Sequence, residues 1–291
     1  MQIANLLFWW LARPGRTRRL TVGGIKRTYH VHVPQHLDPA RPVPVVLALH
    51  GATMNGPMMA WLTGLNRKAD QAGFVVAYPD GTGRLASYTW NGGTVAASTA
   101  DDVGFVRAVL DDLPAVVRVD PRRVFATGLS NGAVMAYRLA AELADRIAAV
   151  APVAGTLGAI DCQPSRPVPV LHVHGTEDEY VPFAGGRGRK SLAAIDYRPV
   201  GETVRLWVRA NGCRDEPTVE VLPDTAGDGT RVVRSAYAGG PAGAEVVLVA
   251  VEGGGHTWPD RQVAAGALGR STRNVSANDL IWAFFERHPM P

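Results

Sequence analysis

Gly128-Leu129-Ser130-Asn131-Gly132 carries the strongest chemical signal in the chain. A serine hydroxyl becomes a useful nucleophile only when a neighbouring base takes its proton. It must also stand clear of its own backbone. Residues 123–127 read as a buried strand and residues 133–143 as an Ala-rich helix. A strand running through G-x-S-x-G directly into a helix makes a sharp elbow that exposes the hydroxyl. Only residues without bulk fit around such a corner, which accounts for Gly128 and Gly132. The corner also points the Asn131 N–H at the place where a tetrahedral oxyanion forms. Without that context the same residues are an ordinary turn.

An elbow serine needs a base, and the base needs an acid that holds its tautomer. Both follow in the order acid, then histidine, each just past an apolar strand. Residues 167–173 lead into His174-Gly175-Thr176-Glu177-Asp178-Glu179-Tyr180-Val181-Pro182. Three acids compete here. Asp178 is assigned because a short acid on the loop can reach inward, while Glu177 and Glu179 can point to solvent. Residues 244–251 lead into Glu252-Gly253-Gly254-Gly255-His256-Thr257-Trp258-Pro259, where the glycine run leaves room for a moving imidazole. His256 is the expected base. The apolar strand 43–49 runs into His50-Gly51-Ala52-Thr53, whose small-residue turn supplies a second oxyanion donor. By position that donor is the Ala52 N–H, with Thr53 the nearest alternative.

These groups need a scaffold that brings three strand ends to one edge. Strands 18–22 and 28–33 are expected as an antiparallel edge. Strand 43–49, helix 57–71, strand 74–77 and a long loop 78–98 follow. Thr99-x-x-Asp102 resembles a capping box opening a helix to residue 113, so Asp101 and Asp102 are read as structural. Strand 124–126, the elbow helix, strands 147–153 and 168–173, helix 201–211, strand 246–251 and helix 276–287 complete the pattern. Strands alternating with helices predict a mostly parallel, doubly wound sheet covered on both faces. With the elbow, this is the α/β-hydrolase fold, and no insertion is long enough for a large lid. Residues 17–291 are expected as one catalytic domain, with an apolar N-terminal segment, 1–16, set apart.

Composition excludes several classes. A chain of 291 residues buries about three quarters of its unfolded surface as one domain. Net charge is +4, and all but three of the 30 basic residues are Arg, the exceptions being Lys26, Lys68 and Lys190. The basic residues are scattered and not interleaved with aromatics, so no nucleic-acid partner is expected. Gly185-Gly186-Arg187-Gly188-Arg189-Lys190-Ser191 lacks the spacing of a phosphate loop. His30/His32 and His172/His174 each share a strand face but lack a third ligand at a persuasive spacing, so no metal is expected. No cofactor is expected either. Residues 1–12 are apolar but too short to span a bilayer, and the positive charges follow the apolar run, unlike a secretory signal.

In sum of motifs the chain resembles the secreted-esterase family of polyhydroxybutyrate depolymerases and related feruloyl and acetyl-xylan esterases. The matching blocks are Leu49-His50-Gly51, Tyr78-Pro79-Asp80, Trp90-Asn91, Asp101-Asp102-Val103-Gly104-Phe105, the elbow, His174-Gly175-x-x-Asp178-x-x-Val181-Pro182, Gly254-Gly255-His256-Thr257-Trp258-Pro259 and Ile281-Trp282-x-Phe284-Phe285. The resemblance implies Ser130, Asp178 and His256 as the triad of a serine carboxylesterase working through an acyl-enzyme. It departs at the N-terminus, which lacks a clear secretion signal, and at Gly92-Gly93, where relatives often carry bulkier residues. It implies secretion or a periplasmic location. It also implies a disulfide between Cys162 and Cys213, adding up to roughly 4 kcal/mol in the chain-entropy model. Trp90 and Trp258 are expected on loops at the cleft rim, as a flat wall for aromatic acyl groups or polyester repeats, with core packing as the other reading. The implied partner is an ester, including a polyester or a feruloylated polysaccharide. A peptidase, an acyltransferase and a catalytically silent binding module are the alternatives on this fold.

Overall fold

Every residue of the apolar run Val43–Leu49 is buried, and it forms the strand β3. Its side chains alternate between two cores: Val43, Val45, Leu47 and Leu49 enter one, Val46 and Ala48 the other. A strand with no polar face belongs at the centre of a sheet covered on both sides. The computed structural model describes residues 15–93, 99–191, 194–261 and 265–291; the apolar residues 1–12 lie outside these.

In chain order, β1 (Arg16–Val22), β2 (Ile25–His32) and β3 are followed by α1 (Gly56–Thr63), α2 (Leu65–Ala72) and β4 (Val75–Pro79). A small hairpin, β5 (Thr82–Arg84) and β6 (Ser87–Thr89), precedes α3 (Asp102–Asp112), β7 (Val119–Leu129), α4 (Asn131–Glu142), β8 (Ala149–Val153) and β9 (Val170–Gly175). A two-residue ladder, β10 (Gly186–Arg187) with β11 (Asp196–Tyr197), leads to α5 (Val200–Ala210). The chain then forms β12 (Thr218–Val221), β13 (Arg231–Tyr237), β14 (Val246–Glu252), α6 (Ala265–Leu268) and α7 (Ala277–Glu286).

Ten strands make one sheet in the order β1-β2-β4-β3-β7-β8-β9-β14-β13-β12. The six from β4 to β14 run parallel. The expected antiparallel N-terminal edge, β1 and β2, is present. Residues of α3, α4 and α5 pack on one face, and those of α1, α2 and α7 on the other. This is the α/β-hydrolase arrangement. Among the described residues, no helix is long and apolar enough to cross a membrane.

The sequence reading missed several elements. The second edge is also antiparallel, built from β12 and β13. All four residues of β12 are exposed, and Arg231 and Arg234 interrupt β13, so neither shows a one-sided apolar pattern. The expected helix 57–71 is two helices, broken at Gly64 (φ 61°). The cap of α3 is Asp101, which accepts from the Gly104 N–H at 2.8 Å, and not Thr99. Asp102 is fully buried against Arg27 (2.6 Å) and accepts from the Asn91 N–H. It has the structural role expected of it, by a different contact.

Candidate active site

β7 delivers Ser130 at φ 57°, ψ −120°, a strained backbone for any residue other than glycine. Neighbours on both sides hold it there. The Ser130 N–H donates to Val153 O at 2.9 Å, and its carbonyl accepts from the N–H groups of Ala133 and Val134. The elbow glycines are steric necessities. A Cβ on Gly132 would lie 2.1 Å from Leu49 O, and one on Gly128 would lie 2.4 Å from the Gly132 carbonyl. Ser130 itself is half-buried at the carboxyl edge of the sheet.

β9 and β14, adjacent and parallel, end at the same edge and carry Asp178 and His256. His256 Nδ1 donates to Asp178 Oδ2 at 2.7 Å. Asp178 Oδ1 accepts from the N–H groups of Tyr180 (2.8 Å) and Val181 (2.9 Å). Burial alone would raise the Asp178 pKa, but hydrogen bonds from His174 and His256 outweigh it and hold the carboxyl well below the usual range. The rival acids are placed otherwise. Glu177 is exposed, and Glu179 is ion-paired with Lys190 and Arg189. With its Nδ1 proton committed to Asp178, the His256 imidazole keeps Nε2 available as a base. The loop before it is held by its backbone. The His256 N–H donates to Leu268 O at 2.7 Å, and a Cβ on Gly255 would lie 2.3 Å from that same oxygen. The glycine there answers a close backbone approach.

The loop after β3 abuts the elbow: a Cβ on Gly51 would sit 3.6 Å from Ser130 Cβ. His50 organises this loop. Its Nδ1 donates to Gly51 O at 2.8 Å, and its Nε2 accepts from the Gly81 N–H at 2.9 Å. Burial pushes its pKa down to about 4, so the ring is neutral and both roles are fixed. The Thr53 N–H is taken by Tyr88 O at 2.8 Å. Ala52, between them, is exposed. The Asn131 side chain ties the elbow to the next loop, accepting from the Trp90 N–H (2.6 Å) and donating to Trp90 O. Its own N–H is the first of α4, and a helix leaves that group unpaired.

Two expectations are corrected. Trp90 and Trp258 are 1% and 2% exposed, so neither offers a ring face to a ligand. Trp90 Nε1 donates to His50 O, and Trp258 Nε1 donates to Asn278 Oδ1, both at 3.0 Å. Each indole has its polar handle satisfied inside the protein, as a buried Trp usually does. Cys162 and Cys213 are free, half-buried thiols and not a disulfide. Cys213 Sγ is directed at Ala244 O (3.5 Å), and burial pushes the Cys162 thiol up to about 12. Gly92, one of the departures noted above, packs against α4, where a Cβ would lie 2.7 Å from Val134 Cγ1.

Sequence reasoning overlooked His50, Asp80, Arg27 and the pair His172/His174 as parts of the site's support. Asp80 accepts from the Gly56 N–H at 2.7 Å and faces His30, and Arg27 bridges Asp102 and Asp80 O. His50 and Asp80 stand in the motif blocks, which was the available signal. For the histidine pairs the spacing shows a shared strand face and nothing of the partners each ring meets.

Residues 28–165 match the family profile Esterase PHB depolymerase. Over 282 residues the chain is 36% identical to the NocK protein of Nocardia uniformis subsp. tsuyamanensis, whose name carries a provisional esterase assignment, covering 91% of this chain and 82% of that protein. It is 30% identical over 238 residues to feruloyl esterase B of Piromyces equi, covering 79% of this chain but 42% of the fungal protein. The solved acetyl xylan esterase from Aspergillus awamori shares the fold, with a TM-score of 0.62 at 17% identity over 94% of this chain and 99% of that one. The family profile and the NocK relative agree: the chain belongs to the esterase PHB depolymerase family and is a carboxylic ester hydrolase of the α/β-hydrolase fold.

Proposed function

We propose that Ser130 is the nucleophile, His256 the general base and Asp178 the orienting acid of a cofactor-independent serine esterase. The observation that carries this reading is the buried 2.7 Å contact between His256 and Asp178, at the sheet edge where the strained serine emerges. His256 Nε2 takes the Ser130 proton as Oγ attacks the ester carbonyl. The N–H groups of Ala52 and Asn131 bind the resulting oxyanion, with the N-terminal end of α4 adding its dipole. The engagement of the Thr53 N–H by Tyr88 favours Ala52 over Thr53 as the second donor. His256 then protonates the departing alcohol and later activates water against the acyl-enzyme.

Short-chain acyl and hydroxycinnamoyl esters are the proposed substrates, with polyhydroxybutyrate or feruloylated polysaccharide as polymeric forms. The family and the name of the Piromyces relative support this choice. We propose a secreted or periplasmic enzyme whose catalytic domain spans residues 17–291. The test uses purified protein on p-nitrophenyl acetate, methyl ferulate, polyhydroxybutyrate granules and a peptide. Wild type is expected to cleave the esters and spare the peptide. Ser130→Ala is expected to lose on the order of 10⁴-fold or more in kcat while keeping its fold. Near-wild-type turnover by that variant would refute the assignment, and preferential peptide cleavage would refute the substrate class.

A further inference from the structure

Behind the Asp178–His256 pair, buried polar side chains continue the line of hydrogen bonds into the body of the sheet. Tyr137 OH on α4 lies 2.5 Å from His172 Nδ1, and His172 Nε2 lies 3.0 Å from His174 Nδ1. His174 Nε2 lies 2.8 Å from Val181 O and 3.4 Å from Asp178 Oδ2. None of the three side chains reaches solvent: Tyr137 and His172 are 0% and His174 is 1% exposed. Buried polar groups are costly unless satisfied, and here each is satisfied by the next.

One proton position follows from its surroundings. Both neighbours of His174 Nε2 are oxygen acceptors, so that nitrogen carries a proton. His172 Nε2 and His174 Nδ1 face each other at 3.0 Å, one donating and the other accepting. His172 is neutral, because burial disfavours its charged form. One of its nitrogens therefore donates and the other accepts, and the Tyr137 hydroxyl, which can do either, takes the complementary role at Nδ1.

We infer that Tyr137, His172 and His174 form a buried hydrogen-bonded chain that ends at the Asp178 turn and positions its carboxylate for His256. This rests on the proposed roles of Asp178 and His256. His174 acts twice: it pins the Val181 carbonyl, whose own N–H holds Asp178 Oδ1, and it lies against Oδ2 beside the His256 proton. These three are positioning residues, since none touches the reacting atoms. Other groups face the chain without joining it. Trp207 stacks on Tyr137, and Cys162 lies within its field. Phe183 meets His174 edge-on, Tyr180 lies over His256, and Tyr197 feels the Asp178 charge.

The experiment compares His174→Leu, His174→Gln and Tyr137→Phe with wild type, using p-nitrophenyl acetate from pH 5 to 9, with near-UV circular dichroism as the fold control. His174→Leu is expected to lower kcat on the order of ten- to a hundredfold, the loss of a hydrogen bond to a charged group, with KM unchanged. A carboxylate with one donor fewer holds the imidazolium more tightly, so the acid limb of kcat/KM moves to higher pH. The Gln amide places a donor near the lost Nε2–H and is expected to restore both readouts. Tyr137→Phe removes one hydroxyl and is expected to shift the limb in the same direction by less. It carries the test if His174→Leu does not fold. An unmoved acid limb in a folded His174→Leu, a Gln variant no better than Leu, or an unmoved limb in Tyr137→Phe when Leu does not fold would overturn the proposal. Asp178→Asn separates the two levels: if it is crippled while the chain variants are not, only the chain fails; if it is active, the site reading fails.

Discussion

The Asp178 carboxylate has four hydrogen-bonding neighbours, Tyr180 and Val181 N–H on one oxygen and His256 and His174 on the other. Glu177 has no such setting, and Glu179 is balanced by two surface cations. Asp178→Asn is therefore expected to lose on the order of 10⁴-fold in kcat, because an amide favours the wrong imidazole tautomer. Glu177→Gln and Glu179→Gln are expected to remain within about twofold of wild type, since an exposed charge and a surface ion pair contribute little. Steady-state kinetics on one ester decides it. A crippled Glu177→Gln would move the acid by one residue.

At the scale of elements, the site depends on three strand ends and the loops between them. The loop after β3 cannot drift from the elbow, because His50, Tyr88 and Trp90 each fix a part of it. The far edge of the sheet is under no such constraint. β12 exposes Val219 (59%) and Val221 (49%) on a strand with one free side. Unpaired edges bearing apolar side chains invite pairing between copies, and lysine there opposes it. Val221→Lys is expected to leave Tm and kcat/KM unchanged and to reduce aggregation on heating, read by light scattering. A fall of several degrees in Tm would show that Val221 packs on something.

At the scale of the molecule, burial of titratable groups couples the fold to pH. The folded pKa of His50 is about 4, against about 6.5 unfolded. Between these values the unfolded chain binds more protons, so stability falls as pH drops from about 6.5 to about 4, by roughly 3 kcal/mol for this residue alone. His172 acts in the same direction. Asp178, whose folded pKa is depressed, gives stability that is present above about pH 4 and is lost below it. Tm is expected to decline steadily below about pH 6.5. His50→Asn keeps a donor for Gly51 O and is expected to flatten that decline between pH 6.5 and 4; an unchanged slope would exclude His50 as its source. The two thiols are the other whole-molecule property. Thiol titration of unfolded, unreduced protein is expected to count two per chain, and reductant to leave Tm unchanged. A count of zero would restore the disulfide.

What the sequence determined was local. Ser130, Asp178 and His256 could be put forward as a triad because each follows a buried strand and because a tight elbow tolerates only glycine at 128 and 132. The alternation of apolar strands with helices likewise dictated a central parallel sheet, whose strands must be apolar on both faces. What lay beyond reach depended on contacts between distant segments. The β12–β13 edge has no one-sided pattern, because its pairing partners and not its own burial hold it. A tryptophan beside a catalytic loop reads the same whether its ring faces the cleft or the core. Only the tertiary structure, by bringing Asn278 to Trp258 and the His50 carbonyl to Trp90, decided that both face inward. The two cysteines and the His172/His174 pair were equally ambiguous for the same reason: a side chain's chemistry is set by what the fold places against it.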